Sequence, residues 1–284
     1  MMGSLRIHGI DFTSAPGPRK PIVCATCELR GPRLRLVGLE RWSVLADFEA
    51  FLSRPGPWLA GLDFPFGLPA AFVSALAAPA DWQGYVEHFA ALGRQGFRTA
   101  VSDFKAGQPV GHKDLKRAAD RLASAASPLN VTRPPVGLMF IEGAGRLCRS
   151  GVSVWPCRPR AAAGTQVVEV YPALAVRALV GRRPYKGGRG IRAAGQTDVR
   201  RALLGALAGN AALRHYGLRL ALPAATLIDE LVGDRDGDGL DAVICALQAA
   251  WGYRSTGGRL GMPCAMRASE GWILAPALPL PARR

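Results

Sequence analysis

The sequence predicts a mixed α/β sheet, and three observations predict it. Through the first 70 residues, apolar runs of strand length give way to helical periodicity and back again. Acids stand at the ends of several of these runs, where open α/β sheets place their ligand sites. The 284-residue chain is 49% hydrophobic and 20% charged with 6 Trp, enough apolar material for a real core. Its length limits it to one large domain, or one domain carrying a substantial insertion.

The elements follow in order. Residues 5–12 are a short apolar run ending in an acid, followed by a turn-prone stretch over 14–21. Residues 22–29 and 34–40 alternate as neighbouring strands do. Ser43 is placed to N-cap a helix through Leu52, with Leu45, Phe48 and Leu52 on one face. Residues 58–64 give the next strand, stopped by Pro65, Gly67 and Pro69. Residues 70–165 break this rhythm with helical patches at 69–76 and 82–92, a basic helix over 113–123, and a Gly/Pro-rich stretch to Pro159. This region reads as an insertion on the sheet or a cap over it. A strand over 166–171 ends at Pro172, and a helix over 173–179, an Arg-rich loop over 181–195 and a helix over 198–207 follow. An acidic stretch, 234–241, leads into an apolar helix over 242–251. Residues 272–274 add an edge strand, and 276–284 form a loose tail.

Composition removes several classes. The 34 Gly and 22 Pro have no fixed period, which excludes a collagen-like chain. No apolar run reaches the 18 or so residues that span a bilayer, and the N-terminus lacks the layout of a secretory signal. A cytoplasmic location with no membrane partner is the expectation. The formal charge of +15 attracts polyanions. Only 5 of the 36 basic residues are Lys, however, and an Ala- and Gly-rich, Arg-dominated chain is also what a GC-rich genome writes.

The six cysteines do not read as a disulfide framework. Cys24 and Cys27 lie three apart in a strand pattern and so face opposite sides. With no second C-x-x-C and no ligand spacing among the four His, a structural zinc lacks its donor set, and buried free thiols are expected. Residues 234–239 match the first half of a calcium loop, but its twelfth position is Cys245, where a bidentate Glu is needed.

The chemistry lies in the acids. Asp11, Asp63 and Glu169 stand in strongly apolar neighbourhoods near strand ends, and a buried unpaired carboxylate is costly. Asp238 and Asp241 open the last apolar helix three residues apart, on one face. Either of these two alone reads more readily as a cap than as a ligand. Together with the strand-end acids they suit a hard divalent cation, Mg²⁺ or Mn²⁺. Arg182, Arg183, Lys186, Arg189 and Arg192 crowd the Arg-rich loop among Gly187, Gly188 and Gly190, and read as phosphate contacts. Arg177, Arg200 and Arg201 flank them. Lys113, Lys116, Arg117 and Arg121 share much of a helical face, read as solvated because Asp114 and Asp120 interleave.

Gly9-Ile10-Asp11, Gly61-Leu62-Asp63-Phe64-Pro65-Phe66-Gly67, Glu169-Val170-Tyr171-Pro172, Tyr185-Lys186, Asp238-Gly239-Leu240-Asp241-Ala242 and Glu270-Gly271-Trp272 occur in that order. The set resembles domain-of-unknown-function family 429, predicted RNase H-like nucleases distantly similar to RuvC-type Holliday-junction resolvases. The resemblance implies an RNase H-like fold: a five-stranded mixed sheet flanked by helices, with an acidic cluster holding divalent metal. It places Asp11 on the first central strand, Asp63 at the end of the fourth, and Asp238 and Asp241 at the start of the last helix. Glu169 then serves as a further ligand or support. The implied function is hydrolysis of phosphodiester bonds in nucleic acid by a two-metal mechanism, with Asp11, Asp63, Glu169, Asp238 and Asp241 as the catalytic set. Two alternatives stay open: a non-catalytic nucleic-acid or protein-binding module on the same fold, and an ATP-dependent phosphotransferase. The second needs a duplicated domain and glycine-rich phosphate turns.

Overall fold

A computed structural model describes residues 4–160, 164–187, 191–222, 224–255, 266–276 and 278. β1 (Leu5–Asp11), β2 (Ile22–Arg30) and β3 (Arg33–Trp42) form the predicted meander, and α1 (Leu45–Leu52) leads to β4 (Trp58–Leu62). Then come α2 (Ala70–Ala75), α3 (Trp82–Ala106), α4 (Ala118–Ala123) and α5 (Val136–Arg149). β5 (Ser153–Trp155), β6 (Thr165–Glu169), α6 (Pro172–Val180), α7 (Ile191–Ala208) and α8 (Asn210–Tyr216) follow. β7 (Arg219–Ala221), α9 (Ala225–Gly233) and α10 (Asp238–Ser255) come next, and a single 3₁₀ turn over Ala268–Glu270 closes the order. No described helix is long and apolar enough to cross a membrane.

The sheet has seven strands, not five, in the order β5-β6-β4-β1-β2-β3-β7. β2 runs antiparallel to both its neighbours, and every other pairing is parallel. The two strands beyond expectation, β5 and β7, are three residues each and lie at the two edges. Segments that short carry too little alternation to be read from sequence.

Side chains of successive strand residues point to opposite faces. Ile10, Cys24, Ala60 and Leu62 face a wall of aromatics that includes Phe48, Phe51, Phe72, Phe89, Phe97 and Phe140. These rings come from α1, α2, α3 and α5, so the 70–165 region supplies much of this core. Ile7, Cys27, Leu59 and Val168 face the other way, onto α6, α7 and α10. Cys24 and Cys27 therefore enter different cores as buried free thiols, as their spacing requires.

Several local expectations are corrected. Val44, not Ser43, precedes α1, and it gives no side-chain cap. The helix from Trp82 runs on to Ala106 and breaks at Gly93, with φ 64°. The Gly/Pro-rich stretch to Pro159 contains α5. Its Gly143 lies against Phe64, where a Cβ would come within 2.4 Å of the ring, so this glycine lets the helix approach the sheet. The helix predicted at 113–123 begins only at Ala118. α7 begins at Ile191, well before the expected start at 198, so Asp198 lies inside it. Residues 272–274 give a single bridge, Glu169 to Ile273. Most of the 276–284 tail lies outside the described residues, and within it Leu278 is buried.

Candidate functional site

β1 and β4 are parallel neighbours in register, with Ile10 beside Leu62, and the Asp63 amide donates to the Ile10 carbonyl at 3.0 Å. This places Asp11 and Asp63 together at the C-terminal ends of two central strands. Both follow the alternation of Gly9 and Gly61, which face α10. A Cβ on Gly9 would stand 1.9 Å from the Ala242 carbonyl, and one on Gly61 would stand 2.4 Å from that of Cys245. The two glycines let α10 lie directly on the strands, which carries Asp238 and Asp241, in its first turn, toward Asp11. Four of the five predicted acids thus share one locality.

Their partners divide them in two. Asp238 is held by Lys20, whose Nζ lies 2.5 and 2.6 Å from its two oxygens. Asp241 pairs with Lys186 and accepts from the Tyr185 hydroxyl at 2.5 Å. Lys186 also stands 3.9 Å from Asp238. Asp11 and Asp63 have no hydrogen-bond donor on their carboxylates among the described residues. Burial pushes the Asp11 carboxyl well above the usual range; Lys186 opposes this, while Asp241, Asp238 and Asp63 add to it. Asp63 is pushed up to about 7, by burial and then by the Asp241 charge. Burial also raises Asp241, against the pull of Lys186 and Tyr185. Burial works against the Lys186 charge, yet Asp241 and Asp11 hold its pKa well above normal.

Glu169 belongs elsewhere. It pairs in register with Leu62, and Leu62 with Ile10, so it points to the face opposite Asp11. There it meets Arg117, whose Nη1 and Nη2 lie 2.8 and 2.5 Å from its two oxygens. The Phe66 amide donates to it at 2.9 Å. Arg117 also binds Asp120 through Nε at 2.9 Å and Nη2 at 2.7 Å. All three side chains are buried, so the solvated face read over 113–121 is wrong at Arg117.

Of the Arg-rich loop, Arg182 and Arg183 are exposed and Lys186 reaches the acids. Arg189 and the side chain of Arg192 lie outside the described residues, as do Gly188 and Gly190. Arg200 is buried and braces the loop by donating to the Tyr185 and Val232 carbonyls, each at 2.7 Å. Arg177 donates to the Ala123 carbonyl and stacks over Tyr171. Lys20 was missed by sequence reasoning. The available signal was its rarity: of five lysines in an Arg-dominated chain, two reach this cluster.

Among the described residues, no three His, Cys, Asp or Glu side chains are already grouped as a metal site. The donor set nonetheless fits a hard divalent cation: four carboxylates, two of them without a donor and two neutralised by movable ammonium groups. Comparison with the curated proteins and with the solved structures finds no match. A family model described as Protein of unknown function (DUF429) matches residues 9–261, a span that holds all four of these aspartates. The chain belongs to the DUF429 family.

Proposed function

We propose that the protein hydrolyses phosphodiester bonds in nucleic acid, with Mg²⁺ or Mn²⁺ held by Asp11, Asp63, Asp238 and Asp241. The observation that carries this reading is the donorless pair Asp11 and Asp63 at the ends of adjacent strands. Asp11 is buried and Asp63 half-buried, and neighbouring carboxylates with no donor on either disfavour each other's charge unless one is protonated or both meet a cation. Divalent metal there would polarise a phosphoryl oxygen and lower the pKa of a water so that it can lose a proton and attack the phosphorus as hydroxide. Setting aside the two short edge strands leaves the mixed sheet β3-β2-β1-β4-β6, which supports the RNase H-like fold that the motifs imply.

The chain's own groups have separate tasks in this scheme. Lys20 and Lys186 are half-exposed and hold Asp238 and Asp241 in place. Released from those acids, both ammonium groups would be free to meet phosphate oxygens. The Tyr185 hydroxyl orients Asp241, and Arg200 fixes the loop that carries Tyr185. Arg182 and Arg183 are the exposed contacts for a polyanion backbone. Glu169 is a positioning residue, because Arg117 and the Phe66 amide engage both its oxygens.

A non-catalytic nucleic-acid-binding module is the second reading. It draws support from the same lysines, which neutralise two of the four acids without any metal. One experiment separates the two. Wild type and Asp11→Asn are compared on single-stranded DNA, duplex DNA, RNA, RNA–DNA hybrid and a four-way junction, with Mg²⁺, Mn²⁺ or chelator. Hydrolysis predicts cleavage of at least one substrate, lost with chelator and reduced by at least about 10²-fold in Asp11→Asn. Salt-sensitive binding with no cleavage by either protein would replace it with the module.

A further inference from the structure

Beside the carboxylates lies a cavity of about 170 Å³ that hydrolysis as described does not use. Asp63 is shared between the two. Pro65, Met139, Val170 and Tyr171 contribute apolar walls, and Arg117, Asp120 and Glu169 line the polar part. Its size suits one six-membered ring, since an apolar cavity of roughly 150 Å³ takes up benzene.

The polar part offers acceptors. A guanidinium has five N–H donors. Those of Arg117 are all engaged: Nε with Asp120, Nη1 with Glu169 and the Glu270 carbonyl, and Nη2 with Asp120 and Glu169. The arginine has no donor left for a ligand, while Oδ1 of Asp120 and Oε1 of Glu169 each accept a single hydrogen bond and keep a lone pair. A second phosphate would meet carboxylates here and be repelled. A flat ring carrying an amino group would bury its faces against apolar walls and direct N–H toward oxygen.

We propose that this cavity is a nucleobase subsite that takes an amino-bearing pyrimidine, cytosine before uracil, from a strand whose phosphate lies at Asp11 and Asp63. The proposal rests on the nucleic-acid reading above and deepens it. Uracil presents a carbonyl where cytosine presents an amino group, which sets acceptor against acceptor. A base reaches such a cavity only when unstacked, at least cost from a single strand.

The test uses the full chain and saturation-transfer NMR with millimolar cytidine or uridine. Cytidine is expected to bind, and uridine about tenfold more weakly. Ala126 and Met139 line the cavity, so Ala126→Phe and Met139→Trp are expected to abolish the cytidine signal while keeping the wild-type circular dichroism. Asp11→Asn is expected to retain it. The subsite is overturned if cytidine gives no transfer to wild type, if uridine equals cytidine, or if both filled variants bind as wild type does. The comparison of two nucleosides needs no variant and so survives a misfolded one. Cytidine binding without cleavage of any substrate would sink the hydrolysis reading alone, and cleavage without cytidine binding would sink the subsite alone.

Discussion

Arg117 shows how much one buried side chain can organise. It joins the segment before α4 to β6 through Glu169 and to the Glu270 carbonyl near the end of the described chain. Removing one partner of a buried pair leaves the other charge uncompensated, at a cost of about 3–5 kcal/mol. Arg117→Met is therefore expected to lower unfolding free energy by that amount in urea titration. Adding Glu169→Leu should recover part of it, since one of the two orphaned carboxylates is then gone and only Asp120 remains; no recovery would mean that Glu169 is not the partner that matters. Neither residue's role was legible in the sequence. Glu169 sits in the same apolar setting as Asp11 and Asp63, and only the strand register assigns it to the opposite face. Arg117 lies among charged residues at helical spacing, and the spacing did not reveal that the helix starts one residue later. Asp11, Asp63, Asp238 and Asp241 were legible because an acid in an apolar run is locally conspicuous.

At the level of elements, the contact of α10 with β1 and β4 decides the site. Gly9 and Gly61 leave no room for a methyl group against the α10 backbone. Gly9→Ala and Gly61→Ala must push the helix away, and overpacking of this kind costs typically about 1–3 kcal/mol. Each is expected to lower the urea midpoint and to weaken Mn²⁺ binding measured by calorimetry, because Asp238 and Asp241 move with the helix. Gly38→Ala, where nothing lies within 4 Å of the added carbon, should leave both unchanged. Loss of stability without loss of Mn²⁺ affinity in the first two would separate the helix contact from the site. The central strands were readable because five to ten residues of apolar patterning identify each. α5 was not, since its glycines read as a loop until Phe64 was seen packed against one of them.

For the whole molecule, the charge of +15 makes any nucleic-acid contact depend on salt. Fluorescence anisotropy on a single-stranded oligonucleotide should show log K falling linearly with log salt. Arg182→Gln with Arg183→Gln should reduce that slope by about 2, roughly 1 per lost phosphate contact. An unchanged slope would remove those two arginines from the interface. Composition alone left the charge ambiguous; the position of Arg182 and Arg183 beside a loop that reaches the acids is what gives it a place to act. The same long-range architecture affects how the protein is made. Lys20 and its partner Asp238 are 218 residues apart, and β1 finds its covering helix only across that distance. At about 5–20 residues per second, a ribosome needs roughly 10–40 s to cover the interval. Throughout it the nascent chain carries a sheet face that α10 has yet to cover and an aspartate, Asp11, with neither Asp238 nor Asp241 near it. A growing chain in that state is a natural client for chaperones and proteases, and a ribosome stalled before α10 would release a product that cannot close its own core.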